Sequence, residues 1–244
     1  MAAKNKVLWT VRLPSIHNFL LQAQAAKVTA VAIRTSENNF SESIPAFHDA
    51  GMRVFGWRFP PIRKSVALDQ AQHVVDLLQM GLDGFIADPE GHENPALNWD
   101  QPGLDDLAQE YCSIIRTAFP DRLFATTSDH RARRVFPNLP WTIFISHSDK
   151  VYPQAYWRMQ TEDGPRPVGN GKPQPNYEVA LSAWQEVGAA IGTIVPMAGE
   201  IALARPGEIE AYGAAAASNG IDELHFYTAD DTVPAPIFQS IAAL

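Results

Sequence analysis

Asp88 and Glu90 stand two residues apart in the stretch Asp83-Gly-Phe-Ile-Ala-Asp-Pro-Glu-Gly91. In an extended chain such residues face the same side, roughly 6–7 Å apart along the strand. Two carboxyls converging on one pocket oppose each other's ionisation, so one keeps a proton as an acid while its neighbour carries charge. Glycosidic cleavage needs that division of labour: an acid for the leaving oxygen and an anion for the developing oxocarbenium charge. Metal chemistry is the main competitor, because Asp88, Glu90, His92, Asp129, His130 and His225 are hard or borderline ligands. Their spacing contains no His-x-His pair and no His-Glu-x-x-His helix, and Cys112 is the sole cysteine, so no cysteine-based zinc site or disulfide forms within the chain. The expectation is a reaction without metal or organic cofactor. No lysine falls inside a predicted strand as a Schiff base would: Lys150 precedes one, and Lys27, Lys64 and Lys172 fall in loops or helix starts.

The elements that hold these residues alternate. Short runs rich in Val, Ile, Phe and Tyr at 7–12, 28–34, 53–57, 84–88, 123–127, 151–157, 193–197 and 223–227 read as strands covered on both faces. Between them the pattern predicts helices at 41–50, 65–80, 104–119, 177–190, 206–219 and 234–243. A further, irregular helix is expected over 131–147, broken by Pro137 and Pro140. The segment 159–176, with four prolines and three glycines, reads as a loop-rich insertion. Eight strands alternating with helices predict an α/β fold, a single (β/α)₈ TIM-type barrel occupying 1–244. An open doubly wound sheet would carry a Gly-rich phosphate loop after its first strand, where this chain has Leu13-Pro14-Ser15.

Barrel sites lie at the C-terminal strand ends. That rule places Arg34, Trp57, Arg58, Asp88, Glu90, Ser128, Asp129, His130, Gln154, Tyr156, Trp157, Glu200, Asp230 and Asp231 at one rim. Trp57 and Trp157 are expected to stack on sugar faces and Trp99 is a weaker candidate, whereas Trp9, Trp141 and Trp184 read as packing. Arg34 and Arg58, with the cluster Arg131, Arg133 and Arg134, offer cations to an anionic substituent.

DGFIADPE resembles the fourth-strand signature of two groups of barrel glycoside hydrolases: the family 25 lysozymes, with Asp-x-Glu, and the family 18 chitinases, with DGxDxDxE. Val151-Tyr-Pro-Gln-Ala-Tyr-Trp157 resembles the sixth-strand segment of both. The resemblance implies Glu90 as general acid, Asp88 as the group that orients and charge-stabilises a substrate N-acetyl group, and Tyr156 as its hydrogen-bond partner. Substrate-binding expectations are Trp57, Gln154, Trp157, Asp129, Arg34 and Asp230. The chain departs from family 18 at Ile86, where a further Asp is usual. It departs from family 25 at Thr10, Val11 and Arg12, where a strand-1 Asp is usual.

The implied activity is hydrolysis of an N-acetylated glycan, peptidoglycan first (lysozyme- or endolysin-like), by a monomer. The competing readings are a metal-dependent barrel hydrolase or isomerase and a noncatalytic glycan-binding barrel. With 19 basic against 27 acidic residues, the net charge of −8 repels phosphate backbones, so neither nucleic acid nor an anionic membrane is an expected partner. The apolar stretch 7–11 is too short for a secretory signal, which leads to the expectation of a cytoplasmic protein acting on the wall after release or delivery.

Overall fold

The computed structural model describes Ala3 and residues 5–244. Strands β1 (Asn5–Thr10), β2 (Ala30–Arg34), β3 (Arg53–Arg58), β4 (Gly84–Ala87), β5 (Leu123–Asp129) and β6 (Lys150–Gln154) run parallel. A short antiparallel hairpin follows, β7 (Arg158–Thr161) and β8 (Gly164–Pro167), and β9 (Glu223–Phe226) returns to the main sheet beside β1. The sheet order is β6-β5-β4-β3-β2-β1-β9, and segment 194–198 closes the ring. On one side Val195 N–H donates to Val151 C=O (2.9 Å) and Met197 N–H to Pro153 C=O (2.8 Å). On the other, Ala198 N–H donates to His225 C=O and Tyr227 N–H to Ala198 C=O, both at 2.9 Å. The fold is therefore a (β/α)₈ barrel, its eight staves followed in turn by α1 (Ile16–Ala25), α2 (Phe40–Asp49), α3 (Lys64–Gln79), α4 (Asp105–Ala118), α5 (Trp141–His147), α6 (Pro173–Glu186), α7 (Glu208–Ser218) and α8 (Ala235–Ala243).

Strand alternation sorts the side chains into two clusters. Val7, Trp9, Ala30, Ala32, Phe55, Trp57, Ile86, Ala125, Tyr152, Val195 and Met197 fill the barrel, and the opposite set packs under the helices. The alanines of β2 and β5 leave room for the large rings of β1, β3 and β6, as close packing requires. Each of those rings contributes on the order of 2–3 kcal/mol by leaving water. Trp9 is further fixed by a buried polar chain. Its indole N–H donates to His225 Nδ1 (3.0 Å), so that nitrogen is unprotonated and His225 Nε2 presents its hydrogen to Glu223 (2.8 Å).

Three regions differ from the sequence expectations. Helix α1 went unread between the first two strands; Ser15 caps it, its hydroxyl accepting from Asn18 N–H (3.2 Å). The helix expected over 131–147 is a 3₁₀ turn, Ala132–Arg134, followed by the short α5, because Pro137 and Pro140 interrupt the backbone ladder. The insertion at 159–176 is not loop throughout: it carries the β7–β8 hairpin and the start of α6, where Pro173 takes the first helical position that its missing N–H suits.

Candidate active site

Ile86 belongs to the barrel interior, so Asp88, two residues on, points the same way, up the barrel axis. The backbone around it is pinned residue by residue. Asp88 N–H donates to Arg58 C=O (2.9 Å), Ser128 Oγ donates to Pro89 C=O (2.7 Å), and Trp99 N–H donates to Glu90 C=O (2.9 Å). Gly91 then turns the chain against the Phe136 ring, which leaves no space for a Cβ.

Gln154, at the end of β6, ties the two carboxyls together. Its Nε2 donates to Asp88 Oδ1 (3.0 Å) and to Glu90 Oε1 (2.6 Å). Two acceptors on one atom require that atom to be the amide nitrogen. These three side chains, with Trp9, Trp57, Thr127, Tyr156, Met197 and Tyr227, line a cavity of about 130 Å³ at the barrel mouth. Trp57 is anchored by its indole N–H on Thr10 C=O (3.0 Å). The rings of Tyr156 and Tyr227 stack 5.3 Å apart at 12°.

Burial dominates the electrostatics. It raises Asp88 well above the usual carboxyl range, with the charge of Glu90 adding to the rise. Burial also pushes Glu90 up to about 7; the hydrogen bond from Gln154 opposes this and the charge of Asp129 assists it. The pair therefore holds on to a proton at neutral pH, as two carboxyls sharing one dry site must. Burial also raises the hydroxyls of Tyr156 and Tyr227, which stay neutral donors.

Of the expected site residues, Asp88, Glu90, Gln154, Tyr156 and Trp57 meet in this cavity. Trp157 does not. The strand ends at Gln154, and Trp157 turns out under α7, where it is buried, donates to Glu208 Oε2 (3.0 Å) and packs on Tyr212. Asp129 is occupied by Arg131, which holds both its oxygens (2.7 and 3.0 Å); those bonds outweigh burial and keep it below the usual carboxyl range. Asp230 lines a different cleft, of about 740 Å³, between α1 and the loops after β1 and β9, and its Oδ1 accepts from Thr232. Trp99 is sealed against Phe144. Arg34 continues the inward face of Ala30 and Ala32, beside Trp57 in register, and its guanidinium has no hydrogen-bond or ion-pair partner among the described residues. Sequence reasoning passed over Tyr227, Met197 and Thr127 and assigned Trp9 to packing alone, whereas it both packs and lines the cavity. Among the described residues no three His, Cys, Asp or Glu side chains are grouped to hold a metal ion.

Glu200 adjoins the site in a strained conformation, φ +45°. Its Oε2 accepts from Gln160 N–H (2.6 Å), which latches the hairpin beside the mouth. The preceding Gly199 lies flat against Tyr156, and a Cβ there would fall 1.8 Å from the ring. Gly199→Ala is accordingly expected to displace Tyr156 and to cost about 1–3 kcal/mol of stability together with activity. Gly192→Ala, with nothing within 4 Å of its Cβ, supplies the control. Denaturant midpoints and turnover of the two variants check this.

No family model matches the chain, and no curated protein matches it. Solved structures do. A class V chitinase from Pseudomonas fluorescens Pf-5 superposes with a TM-score of 0.65 at 9% identity, over 98% of this chain and 99% of that one. The Ostrinia furnacalis Group IV chitinase gives 0.63 at 8% identity, over 99% and 100%. A mutant of catalytic domain 2 of the Ostrinia furnacalis Group II chitinase, in complex with penta-N-acetylchitooctaose, gives 0.52 at 15% identity over 80% of this chain. The chain spans 63% of the length of that last structure. At these identities the likeness establishes the TIM-barrel fold; the chemistry rests on the site itself.

Proposed function

We propose that the chain is a glycoside hydrolase that cleaves an N-acetylated glycan, peptidoglycan first. The observation that carries the reading is the buried Asp88–Glu90 pair, bridged by one Gln154 amide and walled by Trp9, Trp57, Tyr156 and Tyr227. Glu90, the less buried of the two, donates its proton to the leaving glycosidic oxygen. Asp88, deeper, carries the pair's negative charge and faces the substrate acetamide as its oxygen closes on the anomeric carbon, and Tyr156 donates to the acetamide oxygen. Trp57 supplies a flat face for the sugar. The chitinase neighbours, one of them holding an N-acetylated oligosaccharide, support a glycan of this class. The unpartnered Arg34, facing the mouth, supports a substrate with a carboxylate, such as the lactyl group of a wall polymer.

Acetamide participation makes a specific demand on the substrate. Fully acetylated hexosamine oligomers are expected to be cleaved with retained anomeric configuration, read by NMR of the first-formed product. The corresponding deacetylated oligomers are expected to be cleaved at least roughly a hundredfold more slowly, since the internal nucleophile is then missing. Equal rates on both series would remove the acetamide from the mechanism.

A further inference from the structure

A second site lies outside the barrel mouth, on the flank of the hairpin. The segment between β7 and α6 and the loop before α7 enclose a cavity of about 330 Å³ whose lining includes Arg158, Arg166, Lys172 and Arg205, with Asn170 and Gly171, and no acidic residue. Four cations around one hollow are notable in a chain of net charge −8. They come from β7, β8, the N-cap of α6 and the loop after segment 194–198, so no single solvated helix face accounts for them.

Their own partners leave much of this charge unanswered. Glu208, behind the wall, is bound by the guanidinium of Arg158, by the Trp157 indole and by the backbone N–H of Arg205. Arg158 is only 8% exposed, and its Nε has no hydrogen-bond partner. The side chains of Arg166, Lys172 and Arg205 are exposed and make no ion pair among the described residues; Arg166 reaches only Met159 Sδ (3.6 Å). Helix α6 starts at this hollow with no capping side chain and no acid in its first turn, so the positive end of its dipole adds to the field. Placing like charges around a concavity raises the energy of the empty site, and an anion entering it relieves that repulsion.

We propose that this hollow binds a phosphate group, independently of the carboxylate cavity. Phosphate fits better than a single carboxylate because four cations over one half-buried Glu208 leave about three positive charges. A phosphate brings about −1.5 to −2 and three or more acceptor oxygens, against −1 and two for a carboxylate. The ligand is a free phosphate ester or a phosphate carried on a polymer; the recognising chemistry is the same.

The test is titration of the whole chain with inorganic phosphate, then with a sugar phosphate and with a phosphodiester-linked polyol, by calorimetry at low ionic strength. Each is repeated with Arg166→Glu, Arg205→Glu and Lys172→Glu, all at exposed positions. Binding by the wild type, weakened at least tenfold by each reversal and lost as salt is raised, supports the site, as does a thermal midpoint that rises with phosphate in the wild type alone. The ester or the polymer binding more tightly than inorganic phosphate identifies the source of the group. Binding equal in the wild type and the reversed variants overturns the proposal, and so does an absence of binding to any of the three. None of these readings depends on turnover, so the outcome is separate from that of the hydrolase.

Discussion

Glu90→Gln is expected to lower kcat by roughly 10²–10⁴-fold with little change in KM, because a general acid acts in the transition state and an amide of the same shape still binds substrate. The pH dependence follows from the same burial. Glu90 holds its proton up to about 7, so the wild-type kcat/KM is expected to fall as pH rises through the neutral range, and the residual activity of Glu90→Gln is expected to lose that limb. Stability moves in the same direction with pH. A carboxyl whose pKa is raised on folding contributes stability below its unfolded value near 4.5, and that contribution is lost as pH rises through about 7. Glu90→Gln avoids the cost of charging a buried group. Its unfolding midpoint is expected to exceed the wild-type value at pH 8, with the gap closing towards pH 4.5. A variant more stable yet inactive separates chemistry from misfolding.

Asp88→Asn is expected to cost about 10²–10³ in kcat, since Asn keeps the shape and the hydrogen bond to Gln154 but cannot carry the negative charge that faces the acetamide as it becomes cationic. Two raised carboxyls titrate as a pair, and the singly protonated pair is the working form. The wild type is therefore expected to show a bell-shaped pH profile and Asp88→Asn a single descending limb. Full activity in Asp88→Asn would contradict the assignment, as would an unchanged bell.

How far these features were legible in the sequence follows from the range of the interactions that set them. Asp88 and Glu90 were found because two-residue alternation at a strand end is local, and the eight staves because each run is apolar on both faces. Gln154 and Tyr156 were placed at the rim by the strand-end rule, and the resemblance of their segment added their roles. Trp157 was misread against the alternation itself: Tyr152, Gln154 and Tyr156 face inward, which puts Trp157 with Val151 on the opposite face, under the helices. Asp129 was expected at the glycan, yet Arg131 two residues later satisfies it. Trp9 and Tyr227 gave no distinguishing signal, since an aromatic ring at a strand end packs a barrel and lines a pocket with the same residue type. The cationic hollow was invisible for a stronger reason: Arg158, Arg166, Lys172 and Arg205 spread over 48 positions, and only the hairpin and the loop before α7 bring them together.

The central claim is that the Asp88–Glu90 pair cleaves N-acetylated glycans with Glu90 as the acid. Its most direct test is the release of new reducing ends from chitin oligomers and a panel of peptidoglycans, with wild type and Glu90→Gln side by side in chelator. Release that survives chelation and disappears with the substitution is the predicted result. Equal release by both proteins would move the acid to another rim carboxyl, Glu200 first, and no release by the wild type from any of these glycans would contradict the hydrolase itself.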